Sequence, residues 1–372
     1  MSLYPSDVEY PAGQSGVEIG IALNAFRHGG GIERYAMDLV HALSTLGISP
    51  HIYATRIDQD LPETAAIKPH VLGSPLIPRR LKPYYLSARL RHVRTRDNLS
   101  CLIGCSRNRA SDLAICGGTH IGFLRSTGKK AGIMDRLELD LERDFYAQSL
   151  AVVAHSRLMQ TELEQFYGIV PSKIHVIYPP VSSQSFFPLA PGEREMLRER
   201  LNFPKDELLF LFVSTGHKRK GFDLLQQYFE AARTPFRLLV AGRPITSTSS
   251  RISHIGYRND LGDVYRAVDF TIHPSYYEPF GLACVESLKC GTPVIISDRV
   301  GAGEVIADEA KVVMPTLDGK GLAQAIEEAS QRHNSLKDQS RSKSILYDDD
   351  PIHHVQALLR LCRSVHPMPG AR

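Results

Sequence analysis

The chain has 372 residues, 43% of them hydrophobic and 23% charged, with a net charge of +4. That length allows two domains of ordinary size, the balance is that of a soluble globular protein, and the charge is too mild to imply nucleic acid. No run approaches the roughly 18 apolar residues that span a bilayer. Residues 1–16 lack a basic n-region and an apolar core, so they read as a disordered lead-in, and the chain is expected in the cytoplasm. Six cysteines (Cys101, Cys105, Cys116, Cys284, Cys290 and Cys362) make no zinc-ligand spacing and no Cys-x-x-Cys. Free, mostly buried thiols in a reducing compartment are expected.

Strands and helices alternate through most of the chain, the pattern of parallel sheets. A strand over 17–23 leads into Gly29-Gly30-Gly31, a helix over 32–46 stopped by Gly47, and a strand over 51–54. Residues 79–96 carry seven bases (Arg79, Arg80, Lys82, Arg89, Arg91, Arg94, Arg96) and no acid, interleaved with Leu81, Tyr84, Tyr85, Leu86, Leu90 and Val93. Such a segment suits docking on an anionic membrane surface or holding a phosphorylated acceptor. A solvated basic helix is the plain alternative. An apolar piece at 101–103 and a strand at 114–118 feed a loop around Thr119-His120. A charged helix over 133–148, a strand over 151–154, and a helix capped by Ser156 and closed by Gly168 follow.

A strand over 173–177 runs into Tyr178-Pro179-Pro180-Val181, and the Ser- and Pro-rich stretch to Gly192 is the best domain boundary. Strands are then expected at 208–213, 238–241, 252–255, 270–273, 293–297 and 312–314, with helices between them, including 261–268 and 321–330. The last helix opens at Asp348-Asp349-Asp350-Pro351 and runs to about 365. The domains read as 17–180 and 205–347, joined by a linker over 181–204 and followed by the helix over 348–366.

Within 277–301, Glu278 and Glu286 lie eight residues apart. If 279–289 is helical, that spacing is roughly 12 Å of rise, beyond the roughly 5–9.5 Å at which paired carboxylates flank one glycosidic bond. The two acids then grip different parts of one long ligand. First-turn amides around Phe280, Gly281 and Leu282 lie between them and suit an anionic centre. Carboxylate, phosphate cradle, carboxylate is the layout expected for a nucleotide-sugar. An ordinary helix with two solvated acids is the competing reading.

Other residues join this pair. After the strand over 208–213, Arg219 offers a planar fork for phosphate oxygens and Lys220 a point charge; His217 and Lys218 serve instead if the loop is shifted by one residue. Gly30 and Gly31 let backbone N–H groups approach a ligand closely, although the run is not Gly-x-Gly-x-x-Gly and a bare tight turn competes. His120, in Gly117-Gly118-Thr119-His120, is placed to hydrogen-bond a sugar or phosphate, or is a structural histidine. Tyr257 and Arg258 sit in the loop 256–260, which follows a strand and opens a helix. Two Asp-x-Asp matches, 58–60 and 348–350, lie in a polar loop and at a helix start and read as structural. No metal site is expected, since Arg219 and Lys220 do the neutralising.

The segment from Glu278-Pro279-Phe280-Gly281 through Glu286 to Gly291-Thr292-Pro293-Val294 resembles the Glu-x7-Glu motif of retaining glycosyltransferases of the GT-B class, the family 4 type. The resemblance is strong over about 170–307 and looser before that. It implies an α/β fold of two Rossmann-like domains with parallel sheets facing across a cleft, acceptor-side first and donor-binding second, with the terminal helix crossing back to the first. It implies that Glu278 orients the donor sugar, Glu286 holds the ribose, and Arg219 and Lys220 neutralise the diphosphate. Gly30 and Gly31 would face diphosphate and acceptor, His120 the donor, and the Tyr257-Arg258 loop the nucleobase. The family often places an acid a few residues beyond the glycines; Tyr35 stands there, with Glu33 nearby.

Within the class, Arg219-Lys220-Gly221, Gly256-Tyr257-Arg258-Asn259-Asp260, His273-Pro274-Ser275-Tyr276 and Tyr178-Pro179-Pro180 are similar to the bacterial lipopolysaccharide core glucosyltransferases. The implied activity is retaining transfer of a hexose, glucose from UDP-glucose, to a cell-envelope glycan or lipopolysaccharide core acceptor. It needs no metal or other cofactor and takes place in the cytoplasm or on the inner face of the plasma membrane. Two other classes compete. A non-catalytic nucleotide-sugar binder or scaffold would share the motif. A short-chain epimerase or dehydrogenase would need a dinucleotide glycine fingerprint and a Tyr-x-x-x-Lys, and the chain has neither.

Overall fold

The computed structural model describes residues 18–366 except 191, 233, 248 and 334–343, so the lead-in read at 1–16 lies outside the described residues. Thirteen described strands form two sheets. The first holds β1 (Ile19–Leu23), β2 (His51–Ala54), β3 (Lys68–Val71), β4 (Cys101–Gly104), β5 (Leu113–Cys116), β6 (Ala151–Ala154) and β7 (Ile174–Val176), in the order β3-β2-β1-β4-β5-β6-β7. Pairing from β3 through β5 is parallel. The second holds β8 (Leu208–Ser214), β9 (Phe236–Gly242), β10 (Ile252–Gly256), β11 (Phe270–His273), β12 (Val294–Ile296) and β13 (Lys311–Val313). Its order is β10-β9-β8-β11-β12-β13, and every neighbouring pair is parallel.

The helices, in chain order, are α1 (Gly31–Thr45), α2 (Lys82–Arg96), α3 (His120–Thr127), α4 (Ile133–Gln148), α5 (Arg157–Tyr167) and α6 (Glu193–Arg200). They continue with α7 (Phe222–Ala231), α8 (Leu261–Ala267), α9 (Leu282–Lys289), α10 (Gly319–Gln331) and α11 (Pro351–Val365). By contact the chain forms two compact units. One takes the chain up to Ile115, Asp144–Val152 and the chain from Pro351 on; the other takes Cys116–Arg143 and Val153–Asp350.

In the first unit, Leu86, Leu90 and Val93 of α2 pack with Ala22, Tyr53 and Leu102. The basic stretch is thus an amphipathic helix whose apolar stripe is buried. On its other positions Arg94 binds Asp112 and Arg96 binds Asp97, while Arg89 and Arg91, like Arg80 in the turn ahead of the helix, are exposed. Helix α11 lies against α1, where the Tyr35 hydroxyl and His354 Nε2 are 2.9 Å apart in the interior. Tyr35 therefore has a packing role.

The same helix corrects the expectation of free thiols: Cys362 is disulfide-bonded to Cys101 of β4, while Cys105, Cys116, Cys284 and Cys290 are buried and outside any disulfide. The partners are 261 residues apart, so no sequence spacing announces them. A cross-link over so long a loop removes chain entropy from the unfolded state worth roughly 5 kcal/mol. Dithiothreitol, or Cys362→Ser, is expected to lower the unfolding midpoint by roughly 10 °C. Thiol titration of the denatured, unreduced chain should count the four cysteines outside the bridge; a count of all six would show the bridge absent.

In the second unit the strand period of two splits the core. Leu209 and Leu211 of β8 face one apolar cluster, Phe210 and Phe212 the other. Within the stretch read as linker, α6 sends Arg194 and Arg198 to the buried Asp269 ahead of β11. Asp269 also accepts from the Leu209 amide at 2.8 Å and lies 2.8 Å from His333 Nε2. One carboxylate so ties α6, β8, β11 and the end of α10 together.

Candidate active site

Helix α9 begins at Leu282, three residues later than the helical span 279–289 assumed from the sequence. The reason is local. Gly281 has φ +102°, a left-handed backbone that only glycine adopts at little cost. Ahead of it, Glu278 bridges Val300, the Gly301 amide donates to the Glu278 carbonyl at 3.0 Å, and the Ser156 hydroxyl donates to the Pro279 carbonyl at 2.6 Å. Glu278 is thus held in an extended segment, and the rise estimated for an unbroken helix does not apply.

Into this segment comes the loop after β8. Gly221, with φ +76°, closes it; a Cβ there would lie 2.0 Å from the Pro274 carbonyl oxygen. The tight approach brings Arg219 and Lys220 to Glu278, each with a nitrogen 3.2 Å from Oε2. Arg219 also donates to the Tyr277 carbonyl and Lys220 to the Val213 carbonyl at 3.3 Å. Burial by itself would raise the Glu278 carboxyl, but the Lys220 and Arg219 charges hold it at about 2. It is ionised at any physiological pH. His273, at the end of β11, is buried with neither ring nitrogen hydrogen-bonded among the described residues. Burial, with the Lys220 charge, pushes its imidazole down to about 3.

The residue before Glu278 is anchored as firmly. The Tyr277 hydroxyl is buried, donates to Glu162 Oε2 at 2.8 Å and accepts from the Thr119 amide at 3.1 Å. A Cβ on Gly122 would sit 2.5 Å from both Tyr277 Oη and Glu162, so a side chain there would push this pair apart. Neither Tyr277 nor Glu162 was singled out from the sequence; the one signal available was the position of Tyr277 next to Glu278.

The other expected residues are placed as follows. Glu286 is buried on α9 and accepts a hydrogen bond from Tyr265 of α8 at 2.9 Å. Gly281 is the N-cap of α9 and Leu282 its first residue. The Phe280 ring packs into the core beside Tyr178 and Tyr347. His120 is not in a loop; it starts α3, which Thr119 caps through the Gly122 amide at 2.9 Å. Its Nε2 is 3.0 Å from Asp135, which Lys129 also binds, and its amide donates to the buried Glu142 at 2.9 Å. Tyr257 is 70% exposed, and Arg258 is clamped on Asp260 through two bonds of 2.8 and 2.6 Å. In the first unit, the Gly30 amide donates to Glu33 at 3.0 Å, and Gly31 opens α1 with nothing within 4 Å of the position a Cβ would take. The acid nearest the glycines is thus a helix-capping group.

Comparison with known proteins agrees with this architecture. The family model described as Glycosyltransferase Family 4 matches residues 29–185, and that described as Glycosyl transferases group 1 matches 193–343. A probable transglycosylase of Burkholderia thailandensis is 41% identical over 348 residues, 92% of this chain and 96% of that one. Among solved structures, WaaG, a glycosyltransferase involved in lipopolysaccharide biosynthesis, superposes with a TM-score of 0.74 at 16% identity over 94% of this chain and 100% of that chain. HepE of Anabaena in complex with UDP-glucose superposes with a TM-score of 0.73 at 17% identity, covering 93% and 99%. Such likenesses carry the fold, which is GT-B. With a family model on each half and so close a relative along nearly the whole length, the chain belongs to the group 1 and family 4 glycosyltransferases.

Proposed function

We propose that the chain is a retaining hexosyltransferase that moves glucose from UDP-glucose to a cell-envelope glycan or lipopolysaccharide core acceptor. The observation that carries this reading is the convergence of Arg219 and Lys220 on the ionised Glu278, just ahead of the α9 N-terminus. Two cations and a helix start suit the diphosphate that departs when the glycosidic bond breaks. Glu278 then orients the sugar hydroxyls and Glu286, steadied by Tyr265, the ribose; both act by positioning. The acceptor hydroxyl attacks from the face the diphosphate leaves, and the leaving phosphate takes its proton, so no protein nucleophile is required. Arg219 and Lys220 supply the neutralisation a metal would give, and no cofactor is invoked. The proposed donor is in keeping with the UDP-glucose held by the structural neighbour HepE, and the cell-envelope setting with WaaG, a glycosyltransferase involved in lipopolysaccharide biosynthesis.

No helix among the described residues is long and apolar enough to cross a membrane. The exposed Arg80, Arg89 and Arg91 with the half-exposed Leu81 suit peripheral attachment to an anionic cytoplasmic surface. Sedimentation with vesicles containing phosphatidylglycerol should be lost on Arg89→Glu/Arg91→Glu.

The test is hydrolysis and transfer with UDP-, GDP-, ADP- and TDP-glucose, with and without EDTA. UDP-glucose is expected to raise the melting temperature most and to be consumed equally in EDTA, and the product anomer should match the donor. Binding without any turnover would support the scaffold reading instead. Indifference to every nucleotide-sugar would end both.

A further inference from the structure

Away from the proposed donor site, the first unit gathers a second set of polar groups where β1 and β2 begin. His51 opens β2, His70 lies on the edge strand β3, and Asp97 follows α2. One ligand atom from each lies within 4.8 Å of the others. In open α/β sheets, substrates bind beyond the carboxyl ends of the strands; this cluster is at the opposite end, so the transfer reaction leaves it unexplained.

The proton positions in this cluster can be worked out. His51 Nε2 is 2.8 Å from Glu18, a carboxylate that can only accept, so the ring carries its proton there. His51 Nδ1 is then an acceptor, and it meets His70 Nε2 at 2.9 Å, which must donate. With both rings neutral, His70 Nδ1 is left with a lone pair facing Asp97 Oδ2 at 3.9 Å. The Tyr53 hydroxyl proton is already directed at the same Oδ2, at 2.7 Å. Arg96 Nη2 also donates to that oxygen, at 3.0 Å, so His70 Nδ1 and the Asp97 carboxylate face each other as electron-pair donors with no proton between them. Two ligands on one tetrahedral ion, each roughly 2.0–2.1 Å from it, stand about 3.4 Å apart; the His70–Asp97 pair is wider at 3.9 Å, and the three ligand atoms lie within 4.8 Å of one another, so a small closure brings them onto one ion.

We propose that His51, His70 and Asp97 form a binding site for a zinc-class divalent cation. The donor set, two imidazoles and a carboxylate, favours zinc, cobalt, nickel or copper over magnesium and calcium. The outer groups fit as well. Glu18 on the far nitrogen of His51 makes the carboxylate–histidine–metal arrangement that fixes ring orientation. Tyr53 beneath the rings, with its centroid 4.6 Å from that of His70, holds them stacked. Lys68 on Glu18 and Arg96 on Asp97 are the cations nearby, and they keep the affinity moderate. The His51–His70 hydrogen bond is exchanged for coordination, and the fourth position is left to water. The bound ion joins β2, β3 and the end of α2 and stabilises the first unit without taking part in transfer.

The test is calorimetric titration of the tag-free full chain with ZnCl2 at pH 8, with Co2+ as a spectroscopic probe. One equivalent of zinc should bind, the melting temperature should rise with zinc and not with magnesium, and cobalt should give the visible bands of a tetrahedral N/O site. His70→Ala and Asp97→Asn, both at partly exposed positions, should each weaken binding at least tenfold while leaving the metal-free melting temperature close to that of the unmodified chain. Absence of zinc binding overturns the proposal. So does binding undiminished in both variants, which would place the ion on other histidines or on the thiols. Hydrolysis of UDP-glucose serves as an independent measure of the donor site, and its presence or absence does not bear on the metal.

Discussion

Lys220→Ala is expected to lower turnover roughly 100- to 1,000-fold, the loss typical of removing one preorganised electrostatic donor. The fold should survive. Glu278 keeps Arg219 at 3.2 Å, so its carboxylate is still paired. The expected signature is therefore a collapse of kcat in a UDP-glucose assay with a melting temperature within a few degrees of the parent. Glu278→Gln should separate the two roles of this cluster. It removes the charge that holds Arg219 and Lys220 and the acceptor that orients the sugar, so kcat falls while the affinity for UDP alone is kept or improved. Near-normal turnover in Lys220→Ala would take that residue out of the site and with it the diphosphate reading.

Asp269→Ala is expected to cost about 3–5 kcal/mol of stability, because it strands buried cations. Asp269 is almost wholly buried, and Arg198 meets it at 2.6 Å, Arg194 at 3.2 Å and His333 at 2.8 Å. Burial by itself would raise its carboxyl. The His333 hydrogen bond and the Arg194 and Arg198 charges override that and drive it far below the usual carboxylate range. The sign of the pH dependence follows. A group with a depressed folded value contributes stability above its unfolded value near 4 and loses it as pH falls below that. Urea unfolding should thus show the full deficit of Asp269→Ala at pH 7, shrinking progressively below pH 4. A deficit that stayed constant down to pH 3 would assign the loss to packing and not to charge.

Much of the fold is legible in the chain because its causes are local. The strands at 51–54, 151–154 and 270–273 and the helix at 133–148 are read to the residue, since apolar runs, glycine stops and caps such as Ser156 act within a few positions. The Glu278–Glu286 spacing and the Arg219-Lys220 pair are likewise short-range patterns. Strand β3 is not legible: it lies at a sheet edge, contains Pro69 and exposes most of its side chains, so no alternation marks it. Helix α3 is hidden behind its glycines, and the late start of α9 depends on contacts from Ser156 and Gly301.

What the sequence determined by itself is the alternation of elements, the class of fold and the chemical types gathered near Glu278. Only the tertiary structure decided which groups meet: Lys220 with Glu278, Tyr277 with Glu162, Asp269 with two arginines, Cys101 with Cys362, His51 with His70. Except for the two histidines and their sheet neighbours, these partners stand tens to hundreds of residues apart. Their pairing is a property of how helices cover the sheets and where loops close. A hydrogen bond or ion pair acts over a few ångströms of space and leaves no periodic trace along a chain whose two ends it joins.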